Sequence, residues 1–138
     1  MPDVKFFLDA DVLKRMTSED RLKIMTIACE IVSKKFYPDD WQVNTEKVGC
    51  RILKSEDSLH VAELSVEVSF STGKYGFDLR QITNQFKEEL RDDLLRALEN
   101  YLYPLALVGS IDVWPGPRPG AAFKSSTRVE WLERKLQG

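Results

Sequence analysis

The residue of this chain best suited to chemistry is Pro2, which follows Met1 and begins an alternating apolar segment. Initiator methionine is normally removed when a small residue such as proline comes next, and its removal leaves a secondary amine at the chain end. Desolvation and neighbouring cations lower the pKa of such an amine, so that it serves as a general base near neutral pH. A Met-Pro start is also common without catalytic meaning, and Pro2 alone leaves both interpretations open.

A second candidate is the segment 71–76, STGKYG, which lies between a predicted strand and a predicted helix. It has neither the further glycines of a dinucleotide-binding loop nor the GKS or GKT ending of a phosphate loop, so it does not support nucleotide binding. By itself it indicates a turn in which glycine permits a positive φ.

The elements that must position these residues follow from hydrophobic spacing. The second strand is expected to turn Val43, Val48, Cys50 and Ile52 inward. The order β-α-β-β-α-β predicts an α+β fold with one four-stranded sheet, both main helices on one face, and a short C-terminal helix. The predicted strands are 3–10, 42–53, 63–70 and 110–114, and the predicted helices run from Thr17 to about Tyr37, from Asp78 to Pro104, and over 127–136.

The length of 138 residues suits one ordinary domain. We expect an α+β domain over 1–123 and a C-terminal helical extension over 124–138. In that extension Val129, Leu132 and Leu136 form a narrow apolar stripe. Because so narrow a stripe does not stabilise an isolated helix, it is expected to dock against the domain or a neighbouring subunit.

Composition and charge argue against several function classes. Twenty basic and twenty-two acidic residues give a net charge of −2, whereas a nucleic-acid binder usually carries a basic excess. No apolar run approaches the ~20 residues of a membrane span, and no secretory signal is visible, so a cytoplasmic location is expected. Cys29, Cys50 and His60 do not form a zinc-binding pattern, so no metal is expected and the cysteines are predicted to be buried, reduced thiols.

Taken together, Pro2, the segment 71–76 and the segment 121–123 after the last strand resemble the tautomerase superfamily. The resemblance is to the macrophage migration inhibitory factor and 5-carboxymethyl-2-hydroxymuconate isomerase type, and it covers about residues 2–123. It implies a homotrimer whose three sheets form a central barrel, with an active site near Pro2 at a subunit boundary. It also implies a cofactor-independent isomerase that moves a proton between oxygen and carbon of a small keto or enol carboxylic acid.

The resemblance further implies which residues bind that substrate. Lys34 or Lys35, at the end of the first predicted helix, falls near the substrate-binding lysine of the inhibitory-factor branch. Arg51 is a further candidate, because an arginine binds a carboxylate through two parallel hydrogen bonds. The remaining residues implied are those that border the pocket: Ser71, Thr72 and the aromatic Phe123.

Two other functions stay open. The same fold without catalysis would be a small-molecule or protein-binding module, which the acidic Asp9 and Asp11 near the expected pocket favour. The other is a ferredoxin-like regulatory or assembly module in which the Met-Pro start is accidental.

Overall fold

The sheet is built outward from two central antiparallel strands. The computed structural model describes residues 2–55, 62–70, 82–116 and 123–138. Within these residues the strands are β1 (Pro2–Leu8), β2 (Gly49–Lys54), β3 (Leu64–Phe70), β4 (Ser110–Trp114) and β5 (Lys124–Thr127). β1 and β3 are antiparallel, β2 runs parallel to β1, β4 runs parallel to β3, and β5 is antiparallel to β4. The order is therefore β2-β1-β3-β4-β5, in a mixed α+β fold.

Two long helices and three short ones accompany the described strands. The helices are α1 (Ala10–Arg15), α2 (Ser18–Phe36), α3 (Trp41–Asn44), α4 (Asn84–Leu102) and α5 (Arg128–Gln137), with a 3-10 turn at Thr45–Lys47. None of the helices that the structure describes combines the length and the apolar character needed to cross a bilayer. Ala10, expected at the end of the first strand, begins α1 instead.

The first turn of α2 forms where the sequence places its capping residues. Thr17 Oγ1 accepts a hydrogen bond from the backbone N–H of Asp20 at 3.1 Å, and Asp20 Oδ2 accepts from the Thr17 N–H at 3.0 Å. This reciprocal pair satisfies two backbone donors that the helix leaves open. α2 ends at Phe36, ahead of Pro38, as the sequence predicts.

The core lies between α2, α4 and one face of the sheet. The alternating side chains of β1 and β3 on this face are buried, and they meet the buried stripes of the two long helices. The fully buried residues at its centre are Val4, Phe6, Leu8, Ile24, Ala28, Val32, Leu64, Val66, Val68, Leu90, Leu94 and Leu98. The opposite, open face of the sheet carries the intervening residues, among them Asp3, Lys5, Phe7 and Glu67.

The predicted strand over 42–53 is wrong in its first half. α3 and the 3-10 turn occupy this region, β2 begins only at Gly49, and Val43 is 73% exposed rather than inward. Two side-chain hydrogen bonds hold the compact turns: Asn44 Nδ2 donates to the Asp40 carbonyl at 3.0 Å, and Ser33 Oγ donates to the Trp41 carbonyl at 2.8 Å. Such side-chain bonds compete with extended backbone.

The sheet has five described strands rather than the predicted four. Residues 124–127, which the sequence assigns to the C-terminal helical extension, pair with β4 in the register Ser110↔Thr127. The strand is short, and its sequence KSST has no apolar alternation that would predict it. Thr127 then caps α5, with Oγ1 accepting from the Glu130 N–H at 3.2 Å.

Within one chain the apolar stripe of α5 does not dock against the domain, and its docking against a neighbouring subunit stays a prediction. Val129, Leu132 and Leu136 are 66%, 37% and 88% exposed. Trp131 packs against Tyr103 instead, with ring centroids 5.7 Å apart, and Arg134 Nη2 lies 2.9 Å from Glu99 Oε2. An aromatic contact and an ion pair therefore decide which face of α5 turns inward.

The start of α4 is at Asn84, with Thr83 Oγ1 accepting from the Phe86 N–H at 3.1 Å. The residues predicted to cap this helix, Asp78 and Gln81, lie outside the described residues. The helix ends at Leu102, two residues before Pro104.

Candidate functional site

Pro2 is the first residue of a central strand and is buried. It lies directly opposite Phe70 in the antiparallel pairing of β1 with β3. Side chains at directly opposite positions share one face and lie side by side. Pro2 therefore borders Phe70 on the core face of the sheet.

Phe70 belongs to an aromatic cluster that closes this end of the core. The ring centroid of Phe36, at the end of α2, is 5.8 Å from that of Phe70 and 5.0 Å from that of Phe86. The Phe36 and Phe86 rings meet edge to face, at an interplanar angle of 82°. Because α2 runs back along β1, its last residue arrives at the end of the sheet where Pro2 begins. We call Phe36, Phe70 and Phe86 the aromatic cluster.

Lys35 lies at the margin of the aromatic cluster. Its Nζ is 5.4 Å from the centroid of Phe86, its side chain is 21% exposed, and its ammonium donates to the carboxylate of Glu89. That hydrogen bond, together with one from Gln85, holds the pKa of Glu89 below its ordinary value. Lys35 is therefore a half-buried cation at the same end of the sheet as Pro2. Its ammonium is already paired with the carboxylate of Glu89 in the same chain.

Lys34 points in a different direction. Its Nζ stands 4.5 Å from the ring centroid of Trp41, the first residue of α3. Consecutive helical residues lie about 100° apart around the axis, so the two lysine side chains leave α2 in different directions. Of the two, the structure brings Lys35 to the aromatic cluster.

Arg51 lies on the open face of the sheet. It pairs in register with Lys5, and its Nη2 is 3.1 Å from Oδ2 of Asp3. Gly49 makes room for that carboxylate, since a β-carbon there would stand 2.5 Å from Asp3 Oδ1. Within one chain the sheet thus separates the guanidinium of Arg51 from the aromatic cluster.

Phe123 also lies away from Pro2 within one chain. It is 49% exposed and stacks on Trp114, with centroids 4.4 Å apart and an interplanar angle of 14°. Trp114 is opposite Glu67, and Glu67 is opposite Lys5, which places the stacked pair two strands from β1 on the open face. Ser71 and Thr72 lie outside the described residues.

A buried polar network, which sequence reasoning missed, joins α4 to β5 and α5. Tyr103 Oη donates to Ser126 Oγ at 3.0 Å, Ser126 Oγ donates to Glu99 Oε2, and Arg134 also donates to that oxygen. Burial raises the pKa of Tyr103 to about 12. The one feature of the sequence that could have indicated this network is Glu99, a carboxylate that lies among the leucines of the buried stripe of α4.

An open cavity of about 320 Å³ adjoins this network. Its charged lining includes both signs, with Asp92, Glu99, Arg96 and Arg134 among its residues. It lies at the β5 edge of the sheet, whereas Pro2 is next to the β2 edge. Because Glu99, Ser126 and Arg134 satisfy one another, the network accounts for the attachment of the C-terminal segment to the domain.

The two cysteines are brought together, which their separation of twenty-one residues did not predict. Cys29 on α2 and Cys50 on β2 have their Sγ atoms 2.7 Å apart. Both are partly exposed free thiols rather than buried ones. Across the described residues there is no group of three or more histidine, cysteine, aspartate or glutamate side chains that could hold a metal ion.

The described geometry thus assembles Pro2, the aromatic cluster and Lys35 at one end of the sheet, and it places Arg51 and Phe123 on the other face. No family model, no curated protein and no solved structure matches this chain.

Proposed function

We propose that this protein is a cofactor-independent tautomerase in which the amine of Pro2, freed by removal of Met1, is the general base. The substrate is a small keto or enol carboxylic acid, and the reaction moves a proton between its oxygen and its carbon. The observation that carries the proposal is the place of Pro2: buried, opposite Phe70, at the end of the sheet where Lys35 supplies a half-buried cation.

The surroundings suit this chemistry. Apolar side chains disfavour the protonated form of an amine, so the neighbouring Phe70 favours a neutral Pro2 that accepts a proton. A cation at the margin of the same apolar cluster favours a substrate carboxylate or the negative charge that develops on an enolate oxygen. Lys35 has that position. Base and cation at one end of the sheet are the minimum that the reaction requires.

The strand order also supports the proposal. The parallel pairs β1/β2 and β3/β4 are joined through the antiparallel pair β1/β3, so two β-α-β halves meet at the centre of the sheet. Such an arrangement is what the tautomerase resemblance implies. It puts the first residue of β1 beside the last residue of β3, and therefore Pro2 beside Phe70.

A homotrimer is part of the proposal. The open face of the sheet carries a row of charged residues, in which Arg51, Lys5 and Glu67 are register partners across three strands. Ser65 lies on this face, opposite Phe7, and its Oγ is buried with no hydrogen-bond partner among the described residues. Three such faces around a solvated centre would bring Arg51 and Phe123 of one chain toward its neighbours. Sedimentation velocity on the untagged chain tests this, and a monomer would contradict it.

One observation favours the alternative, a non-catalytic binding or assembly module. Both cations proposed for the substrate have internal carboxylate partners, Lys35 with Glu89 and Arg51 with Asp3. A substrate carboxylate must compete with Glu89 for Lys35, whereas a binding module has no such requirement.

The deciding experiment is a ketonisation assay on untagged protein, with the enol form of phenylpyruvate as substrate. Intact mass spectrometry first establishes that Met1 is absent. We expect Pro2→Ala to lose about 10²- to 10⁴-fold in rate, the usual contribution of a positioned general base. Pro104→Ala is the matched control, because Pro104 is exposed and lies between α4 and β4 at the far end of the sheet.

Equal rates in the parent and Pro2→Ala would contradict the proposed base. Absence of activity in both, with Met1 shown to be missing, would favour the binding module.

A further inference from the structure

Cys29 and Cys50 form a contact that the proposed function does not use. Cys29 lies on the side of α2 that faces the edge strand β2, and Cys50 lies on the inner face of that strand. Their Sγ atoms are 2.7 Å apart, and each sulfur has a backbone carbonyl nearby: Val48 O at 3.9 Å from Cys29 and Met25 O at 3.8 Å from Cys50. A disulfide needs about 2.05 Å between the sulfurs. The separation must therefore shrink by well under 1 Å for a bond to form.

The pKa values of the two thiols are shifted in opposite directions. The hydrogen bond between the two sulfurs lowers the pKa of Cys29, against burial and the nearby Glu30, which raise it. The same hydrogen bond, burial and the negative charge of Asp3 raise the pKa of Cys50. Since the thiolate is the nucleophile in thiol chemistry, Cys29 is the sulfur that reacts first with an oxidant.

We propose that Cys29 and Cys50 are a reversible thiol–disulfide modification site, oxidised by peroxides and closed within one chain. The Cys29 thiolate attacks one oxygen of hydrogen peroxide, so that an S–O bond forms, the O–O bond breaks and hydroxide leaves. The Cys50 sulfur then attacks the Cys29 sulfur, an S–S bond forms, the S–O bond breaks, and the departing hydroxide takes up the Cys50 proton as water. Overall two thiols lose two electrons and two protons, and one peroxide becomes two waters.

Each cysteine is a partly exposed residue at the side of the domain where β2 forms the sheet edge, which favours the approach of a small oxidant such as hydrogen peroxide. The bond would tie the middle of α2 to an edge strand. It would also close a loop of twenty-one residues that contains α3, the segment where the predicted strand fails to form. Closing such a loop restricts the unfolded chain, so the oxidised form is expected to be the more stable one. The proposal stands whether or not Pro2 is catalytic.

The test uses the full untagged chain, reduced and then treated with stoichiometric hydrogen peroxide under native conditions. We expect the intact mass to fall by two hydrogens, both alkylation sites for iodoacetamide to be lost, and dithiothreitol to restore them. Trypsin cuts after lysine and arginine, so a non-reducing digest is expected to join peptide 24–34 to peptide 48–51. The urea midpoint of the oxidised chain is expected to shift upward.

Two single variants test the order of the steps. Cys50→Ser is expected to accumulate a sulfenic acid at Cys29 that dimedone traps, and Cys29→Ser is expected to show no such adduct at Cys50. Far-UV circular dichroism shows whether each variant folds, and the peptide map of the parent chain decides the proposal independently of them. Two thiols that remain fully alkylatable after peroxide would overturn it. A disulfide between chains, or oxidation of one cysteine without the linked peptide, would do so as well.

Discussion

Glu63 Oε2 accepts a hydrogen bond from the backbone N–H of Gly109 at 2.7 Å, which joins the residue before β3 to the residue before β4. The other oxygen of this carboxylate accepts from Arg15 Nη2 at 2.9 Å, and the backbone N–H of Glu63 donates to Ser110 Oγ at 2.9 Å. A single side chain therefore fixes the starting points of two parallel strands and the end of α1. It does so at the end of the sheet opposite Pro2.

Gly109→Ala is expected to destabilise the protein by about 1 kcal/mol, because a β-carbon there would stand 2.5 Å from Glu63 Oε2 and displace the carboxylate from the Gly109 N–H. Urea unfolding measures the change. In a Glu63→Ala background the same substitution is expected to be neutral or slightly stabilising, since Gly109 does not have a positive φ and alanine reduces the freedom of the unfolded chain. An equal loss in both backgrounds would show that the carboxylate is not the cause.

Tyr103 is expected to make stability fall at high pH. Burial raises its pKa from 10 to about 12, so the folded state keeps the phenol proton that the unfolded state loses first. The stabilisation is complete below pH 10 and is lost as the pH rises toward 12, by about 3 kcal/mol for two pKa units. The measurement is the free energy of unfolding from pH 9 to 12 for the parent and for Tyr103→Phe. A decline of the same size in Tyr103→Phe would assign it to other groups.

Thr17→Ala is expected to cost about 1 kcal/mol, because Thr17 Oγ1 no longer accepts from the Asp20 N–H at the start of α2. Thr26→Ala is the matched control: Thr26 is exposed within the same helix, where its hydroxyl donates only to the Leu22 carbonyl. Alanine has the higher helix propensity, so the control is expected to gain a few tenths of a kcal/mol. Thermal unfolding of both variants gives the comparison, and a loss of equal size in the two would contradict the capping role.

The Thr17 cap was predictable because the bonds that form it are local. The third and fourth strands were also predicted closely: the sequence places them over 63–70 and 110–114, and in the structure β3 begins one residue later, at Leu64. The prediction of secondary structure failed in the two segments where a few long-range polar contacts determine the backbone conformation. Ser33 Oγ reaches the Trp41 carbonyl across eight residues and favours a helical turn where Val43 and Val48 suggested a strand. β5 depends on pairing with β4, which a run of serines and threonine does not predict.

The sequence supplied the candidate residues of the site, but it did not predict how they are arranged in space. Pro2 is a candidate from its residue type, and the pair Lys34/Lys35 only from the tautomerase resemblance, at the end of a helix that stops before Pro38. Which lysine approaches the aromatic cluster depends on the rotation of α2 about its axis, and packing against α4 sets that rotation. The contact between Cys29 and Cys50 depends on the same packing, across a separation that no short motif covers.

Lys35 is expected to bind the carboxylate of the substrate if the proposed tautomerase function holds. Lys35→Gln should then raise KM by about tenfold with little change in kcat, since a charged hydrogen bond made equally to bound substrate and transition state is lost. Lys34→Gln is the matched control, because Lys34 is the neighbouring residue on the same helix and its ammonium lies over Trp41 instead. Glu89→Gln is expected to lower KM, because Glu89 accepts from Lys35 and competes with the substrate. Steady-state kinetics on the three variants separates these effects. If Lys34→Gln and Lys35→Gln raised KM equally, general positive charge rather than the position of Lys35 beside Phe86 would be what attracts the substrate.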